Sequence, residues 1–365
     1  MANKKTTPQT QQRRKPQPDR LNRRLFGALL PLLLCFMLGS CSKPDAEDLW
    51  LDYHSRLQRM LALPELAPEL TPVPELPAIR QLYQPLPDTK LNVLDLVVLR
   101  RCGLQQLVAA RNNSLGKTMT VANQLGYELQ LISQLKPCLQ HPELDTDLQQ
   151  KLQQIYQEKQ QQLPRVLANF LLTDQTLRQQ LHGSQRGMQS GVSITSTLTA
   201  LQQLGQLQDY VLKADLTALA TTDAAFINYQ VGALYQSQVL ADWQYSLRVN
   251  NSWLSALNAQ LDAVNLEVFC KQPQVKDKTD ILNNILLQQF IGKIQPRLAE
   301  LDGISQQLQP ALNRIYQQSP VAATLYQRTE SQHQALKQQL SQHVAWWQRL
   351  RQHCQFTIAA KPGQS

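Results

Sequence analysis

Apolar side chains recur at intervals of three and four residues over most of the chain from residue 91 onward. In the stretch 104–129 they include Leu104, Val108, Leu115, Leu125 and Leu129. This spacing places apolar residues on one face of an α-helix. Runs of alternating β-branched residues are absent, and glycine is scarce, at 13 of 365 residues. The sequence therefore predicts an all-α fold, a bundle of long and mostly antiparallel helices.

A proline-rich segment precedes this pattern. Residues 63–77 have the sequence LPELAPELTPVPELP, with five prolines and three copies of Pro-Glu-Leu. Proline at this density excludes a helix interior and favours an extended, polyproline-like chain. The apolar spacing over residues 45–63 predicts a short amphipathic helix before it. We expect the proline-rich segment to be either a semi-stiff spacer or a strap over the helical body.

The N-terminal 40 residues are typical of a targeting signal. A basic stretch is followed by residues 25–40, which are uncharged and end in Leu38-Gly39-Ser40-Cys41. Sixteen residues interrupted by a proline are short for a bilayer span, which needs about 20, and suit a signal-peptide core. The final four residues resemble a bacterial lipobox, which implies cleavage before Cys41 and acylation of its thiol. An ordinary secreted protein cut elsewhere, or an uncleaved anchor, is the competing interpretation.

These features divide the chain into three parts. Residues 1–40 form the signal peptide, 41–90 the lipid-anchored helix with its proline-rich spacer, and 91–365 the helical bundle, with a possible sub-boundary near 183–193. Ser42 follows the acylated cysteine, where enteric-type bacteria use aspartate to retain lipoproteins in the inner membrane. By resemblance to that rule, we expect the protein at the inner leaflet of the outer membrane, facing the periplasm.

The formal net charge of +9 belongs mainly to the signal. Residues 1–40 carry eight Lys and Arg against one Asp, so cleavage leaves about +2 on the remaining chain. Nucleic-acid binding needs a concentrated basic surface. We therefore expect no nucleic-acid partner.

Four cysteines remain after the signal and the lipidated residue are set aside: Cys102, Cys138, Cys270 and Cys354. An even number in an oxidising compartment predicts two disulfides, although four cysteines allow three pairings. Pairs 102–138 and 270–354 are favoured, because each needs a chain reversal that the sequence can supply. The first would reverse near residue 120. The second would reverse beside Pro310 or at Ser319-Pro320. Pro296 and Pro310 are also expected to kink or split the helix that contains them.

Motifs of the common catalytic and cofactor sites are absent from the sequence. It contains no GxSxG, HExxH, GxGxxG or phosphate-binding loop. We therefore expect neither a cofactor nor a metal, and favour a protein that is not an enzyme.

Two polar stretches remain as candidate sites. In residues 100–119, Arg111 falls on the apolar stripe, where a charge needs a partner. Arg111, Asn113 and Lys117, with Asp95 and Glu128 nearby, form either a buried polar network or an anionic-ligand site. The second stretch, residues 182–193, contains three glycines in polar surroundings and predicts a mobile loop, which a partner could contact, rather than a helix-packing face.

Two further stretches resemble a known family. LDLVVLRRCGLQQLVAARNNSLGK at residues 94–117 and YELQLISQLKPCL at 127–139 are similar to an uncharacterised lipoprotein family of Gram-negative bacteria, domain of unknown function 3080. The resemblance covers most of the chain after the signal. Asn113 stands where the family pattern has serine, which argues against a role for a hydroxyl there. The resemblance implies localisation and architecture and brings no activity.

Together these observations favour a non-enzymatic, lipid-anchored helical protein that binds another envelope component as a scaffold or adaptor. The membrane is its first partner, through the acyl anchor, and an envelope protein is the second. The alternative is a ligand-binding or enzymatic module that uses Asp95, Arg111, Lys117 and Glu128.

Overall fold

The computed structural model describes residues 46–87, 99–100, 102–113, 116, 118–142 and 144–356. Cys41, Asp95 and Lys117 lie outside these residues. No β-strand occurs within the described ranges, and the predicted all-α fold is confirmed.

The first helix, α1 (Ala46–Leu61), matches the amphipathic helix predicted over 45–63 and buries Trp50, Tyr53 and Leu57. The N-terminal half then continues with α2 (Ile79–Leu82), α3 (Leu104–Asn112), α4 (Val121–Cys138), α5 (Thr146–Thr173), α6 (Gln175–His182), α7 (Thr195–Leu212) and α8 (Leu216–Leu219). The C-terminal half contains α9 (Ala224–Gln236), α10 (Val239–Asp262), α11 (Leu266–Cys270), α12 (Val275–Ile285), a π-helix (Leu286–Ile294), α13 (Gln295–Tyr316), α14 (Ala322–Arg328) and α15 (Glu330–Cys354).

Helices α4 and α5 pack as an antiparallel hairpin, as the sequence predicts for neighbours joined by a short connection. Near the connection, Gln149 Nε2 donates to the carbonyl of Leu139 at 3.0 Å. Further along, Lys159 Nζ lies 3.0 Å from Glu128 Oε1. As the residue number on α5 rises from 149 to 159, the number of its partner on the other side falls from 139 to 128, so the two helices run in opposite directions.

Helices α10 and α15 run parallel instead. Asn251 Nδ2 donates to the Gln332 carbonyl at 2.6 Å, and Asn258 Nδ2 donates to the Gln339 carbonyl at 2.9 Å. Both partners advance by seven residues, the repeat of a coiled-coil seam, in which a buried asparagine fixes the register. This pair differs from the predicted antiparallel arrangement, because α13 returns between them. The return is visible in the antiparallel contacts of α13 with α15, where His333 bonds Asp302 and Asn313 bonds Glu330.

The two predicted disulfides are present and join the predicted partners. Cys102–Cys138 has a Cα–Cα distance of 5.2 Å, and Cys270–Cys354 one of 5.0 Å. The reversal that the second bridge requires lies between α13 and α14, around Ser319-Pro320. The alternative at Pro310 is wrong, because α13 continues through that residue.

Proline therefore does not split α13. Pro296 occupies the first turn of α13, where its missing N–H is tolerated. Immediately before it, the backbone widens into the π-helix, whose Phe290 is buried. The chain from Val275 to Tyr316 is therefore one continuous helix that passes from α to π and back to α without a break.

Removing the Cys270–Cys354 bridge should destabilise the fold more than removing Cys102–Cys138. A cross-link limits the unfolded chain, and its effect grows with the loop enclosed, so the chain-entropy estimate is about 4.5 kcal/mol for the long loop and about 4 kcal/mol for the short one. The sequence separations are 84 and 36 residues. Urea unfolding of Cys270→Ser/Cys354→Ser and Cys102→Ser/Cys138→Ser variants measures this. A larger loss from the shorter loop would contradict the expectation.

Candidate functional site

The predicted site residues on α3 close the turn that follows this helix. The Arg111 guanidinium donates to the Gly116 carbonyl and lies 6.0 Å from the centre of the Tyr127 ring. Asn113 Oδ1 accepts a hydrogen bond from the Gly116 amide at 2.8 Å. Both side chains are therefore engaged with the local backbone of their own turn.

Glu128 forms a different set of contacts, in the α4–α5 interface. It is buried, as is Lys159, and the two make the 3.0 Å ion pair described above. A buried carboxylate needs such a partner, because an isolated charge away from water is costly. Lys159 is a residue that the sequence analysis missed. Since Asp95 and Lys117 lie outside the described residues, the anionic-ligand hypothesis stays a prediction.

The polar loop at 183–193 is bonded to the bundle at several points. Arg186 pairs with Asp242 on α10 at 2.8 Å, and the amide of Met188 donates to Ser246 Oγ at 2.8 Å. The Gly191 amide donates to Glu300 on α13 at 2.6 Å. Gly191 has φ +73°, which its missing Cβ permits.

A buried histidine network joins α1, α10 and α15. His343 is fully buried, with Nε2 2.8 Å from the Tyr53 hydroxyl and Nδ1 3.0 Å from Asn258 Oδ1. Asn258 Oδ1 can only accept, so Nδ1 carries the proton and Nε2 accepts from Tyr53. Trp347 Nε1 donates to the same hydroxyl at 3.0 Å. Burial lowers the pKa of His343 to about 3, so the ring is neutral and structural.

The proline-rich segment shows the most distinctive chemistry. It has no helix or strand over residues 63–77, so its carbonyls have no partners in a helix or a sheet. Three carbonyls spaced three residues apart, those of Thr71, Pro74 and Pro77, accept instead from arginine side chains. The donors are Arg248 at 3.1 Å, Arg328 at 2.9 Å and Arg178 at 2.9 Å, respectively. A polyproline helix has three residues per turn, so these carbonyls all face the bundle.

Arg328 is the most constrained of the three donors. Its side chain is only 6% exposed, at the end of α14. Besides Pro74, it donates to the carbonyl of His182 and to Gln244 Oε1. Burial lowers the pKa of this guanidinium because the charged form is desolvated; the positive charge of Arg248 lowers it further, and the carboxylate of Glu75 opposes the shift. One buried cation therefore holds the proline-rich segment, the end of α6 and helix α10 together.

Helix α5 binds the chain shortly after the proline-rich segment, on the C-terminal side of α2. Asn169 Nδ2 donates to the Gln84 carbonyl at 2.7 Å, and its Oδ1 accepts from the Gln84 amide at 2.8 Å. This reciprocal pair has the geometry of two backbone groups in a ladder. Leu76 and Leu82 are buried between these points.

The opposite side of the segment faces outward, and we name it the outer ridge. In the Pro-Glu-Leu repeats Leu66 is half-buried and Leu76 is buried, whereas Leu70, the glutamates and three of the segment's five prolines are exposed. None of these glutamates has an ion pair among the described residues. The outer ridge comprises the exposed residues Pro64, Glu65, Glu69, Pro72, Pro74 and Glu75.

Substituting Arg328 by Met should destabilise the protein by about 3 kcal/mol, because charged hydrogen bonds are lost and buried carbonyls lose their donor. Arg248→Met is the matched control, since this half-buried arginine makes one such bond. We expect a loss of about 1 kcal/mol there. Urea unfolding measures both, and thermolysin cleavage within residues 63–77 reports local release. Equal losses with unchanged cleavage would contradict the role of Arg328.

Acid should destabilise the fold through His343. Its folded pKa of about 3 lies below the ordinary value of 6.5, so the unfolded chain binds the proton more readily. Stability from this group is complete above pH 6.5 and falls as the pH drops toward 3, by up to about 1.4 kcal/mol per unit. His343→Gln should be less stable at pH 7 but less sensitive to acid. The exposed control His353→Gln should show the wild-type dependence of unfolding free energy on pH. If His343→Gln shows the same dependence as the wild type, His343 is not the group responsible for the acid sensitivity.

The described residues contain no group of three His, Cys, Asp or Glu side chains arranged to hold a metal. Among the helices in those ranges, none is both long and apolar enough to cross a bilayer.

No curated protein and no solved structure matches the chain. A family model described as "Protein of unknown function (DUF3080)" matches residues 51–358. The chain therefore belongs to the DUF3080 family.

Proposed function

We propose that this protein is a lipid-anchored component of the bacterial cell envelope, tethered through Cys41 and facing the periplasm from the inner leaflet of the outer membrane. The lipobox-like Leu38-Gly39-Ser40-Cys41 after an uncharged core supports acylation, and Ser42 supports outer-membrane sorting. The pairing of the remaining four cysteines is what an oxidising compartment favours.

The tether is short, and this limits what the anchor can do. Four residues lie between Cys41 and Ala46, and the five Cα–Cα steps that join them span at most about 18 Å. Helix α1 begins at Ala46 and already contributes Trp50 and Tyr53 to the core. The proline-rich segment comes after α1 and is bonded to the bundle, so it does not extend the tether. The lipid would therefore hold the bundle itself close to the bilayer.

The molecular role that the geometry favours is presentation of the outer ridge to a second envelope protein. The observation that carries this proposal is an extended segment in which arginines hold the carbonyls of Thr71, Pro74 and Pro77 while its glutamates and three of its five prolines are exposed. Polyproline chains are recognised by aromatic-lined grooves, and a segment already held in that form loses little entropy on binding. Glu65, Glu69 and Glu75 fit a partner whose groove has a basic rim.

The contacts of Arg111 and Glu128 support this scaffold role over the ligand-binding alternative. Arg111 donates to a backbone carbonyl, and Glu128 pairs with Lys159. Groups already engaged in this way must lose those partners before they can bind a ligand.

Intact-mass spectrometry of protein extracted from native membranes tests the anchor. We expect a chain that starts at Cys41, carries acyl groups, and exposes four alkylatable thiols only after reduction. Cys41→Ala should abolish the acyl mass and, because cleavage requires the acylated cysteine, leave residues 1–40 on the chain. A mass that begins near Met1 with free thiols would refute both the localisation and the oxidised state.

Site-specific photo-crosslinking in cells tests the outer ridge. A photoreactive phenylalanine analogue at Glu69 should capture one protein, and a second analogue at Tyr229, 73% exposed, provides the matched control. Adding Glu65→Lys and Glu75→Lys should lower the Glu69 yield by about tenfold, because opposite charges become like charges at a basic rim. Glu65→Lys alone should leave the melting temperature unchanged because Glu65 is exposed, whereas Glu75→Lys should lower it slightly because the Glu75 carboxylate favours the buried charge of Arg328. Equal capture at the two positions, or a yield that the lysines leave intact, would refute the ridge as a docking surface.

A further inference from the structure

A cavity separate from the outer ridge lies between α4, α5 and α8. Its volume is about 240 Å³. This is somewhat below the volume of about 300 to 1,000 Å³ of pockets for drug-sized ligands, so the cavity suits a smaller molecule; like those pockets it is concave, mostly apolar and carries a few polar groups. Its apolar walls come from all three helices and comprise Leu129, Ile132, Leu163, Leu216, Leu219 and Ala220.

Four polar side chains also line the cavity: Thr217 of α8, which is exposed, and Ser133, Lys136 and Tyr156 on the other two helices. Ser133 and Lys136 are one turn apart on α4, on the face that also carries Leu129 and Ile132. The Tyr156 side chain is mostly buried, Ser133 is half-buried, and Lys136 is exposed to solvent. Across the described residues, no hydrogen bond or ion pair engages these three side chains. A cation and two hydroxyls are therefore available beside an apolar volume.

Two other open volumes among the described residues lack this combination. A cleft of about 30 Å³ beside α1 contains Arg297 and Glu300, but these pair with each other at 3.3 Å and also bond the 188–191 backbone. Another cavity, of about 210 Å³ along α5 and α13, is lined by glutamines, a serine, prolines and apolar residues, and no charged residue lines it. Of these three volumes, only the cavity between α4, α5 and α8 has at its wall a cation that forms no ion pair among the described residues.

We infer that this cavity binds a single-chain amphiphile with an anionic head. The chain would lie against the leucines and isoleucine of α4, α5 and α8. The head would bond the Lys136 ammonium and the hydroxyls of Ser133 and Tyr156. A free fatty acid and a monoacyl anionic phospholipid share this chemistry. This inference uses no residue of the outer ridge and does not depend on lipidation of Cys41.

Titration calorimetry with laurate below its micelle concentration tests the site, on the full chain carrying Cys41→Ala so that no attached lipid competes. Lys136→Met should weaken laurate binding by about tenfold, the usual effect of removing a charged partner. The same variant should leave dodecanol binding unchanged, because dodecanol has no charge. Lys213→Met, an exposed lysine on the segment between α7 and α8, is the control and should stay within twofold of wild type.

A second variant tests the apolar walls independently of charge. Leu219→Trp places a larger side chain in the cavity and should abolish binding of both laurate and dodecanol. Its melting curve establishes that the fold is retained; if it is not, Leu129→Ala, which should weaken both ligands, replaces it. Undetectable laurate binding to the wild type, or an unchanged affinity in Lys136→Met, would overturn the inference. Tighter binding of lauroyl lysophosphatidylglycerol than of laurate would assign the site to a phospholipid, and the reverse to a free fatty acid.

Discussion

Backbone carbonyls without backbone donors are the constraint on which this architecture depends. A segment with five prolines in fifteen residues can form neither helix nor sheet, so its polar backbone must be satisfied by water or by side chains. Here arginines on three different helices provide the donors. Arginine suits this task because its guanidinium is always charged and presents several donors in a fixed geometry. Arg328 uses that property fully, since it is buried and its described partners are carbonyl oxygens.

Helix α10 is the element against which these parts are positioned. Its buried polar side chains bond outward in several directions: Asn250 to Trp50 of α1, Asn258 to His343 of α15, and Ser252 to the Thr71 amide of the proline-rich segment. A helix that buries so many polar groups gains little from them in net stability. These hydrogen bonds instead fix the alignment of α10 with its neighbours, because each bond can form in only one register of the helices.

The spacing of apolar residues predicted the helices, and the short connection between α4 and α5 predicted their antiparallel packing, but neither predicted the pairing of helices that are distant in sequence. The all-α class, the first helix and the two disulfides follow from the spacing of apolar residues and from the reach of a disulfide. The parallel alignment of α10 and α15 does not, since apolar periodicity identifies the buried face and not its partner. The heptad spacing of Asn251 and Asn258 was the available signal. At the candidate site, the need for donors to the proline-rich segment could be predicted, but Arg178 and Arg328 could not be identified, because they lie 101 and 254 residues from their acceptors.

Nitrogen-15 relaxation of the protein carrying Cys41→Ala tests most directly whether the proline-rich segment is held in one conformation. The amides of Thr71, Val73, Glu75 and Leu76 are the reporters, compared with those of α10. If the arginine–carbonyl bonds hold the segment, the order parameters of these amides should approach the value of about 0.85 that is typical of rigid backbone. Values below about 0.6, typical of flexible chain, would contradict a pinned segment and remove the basis for the outer ridge.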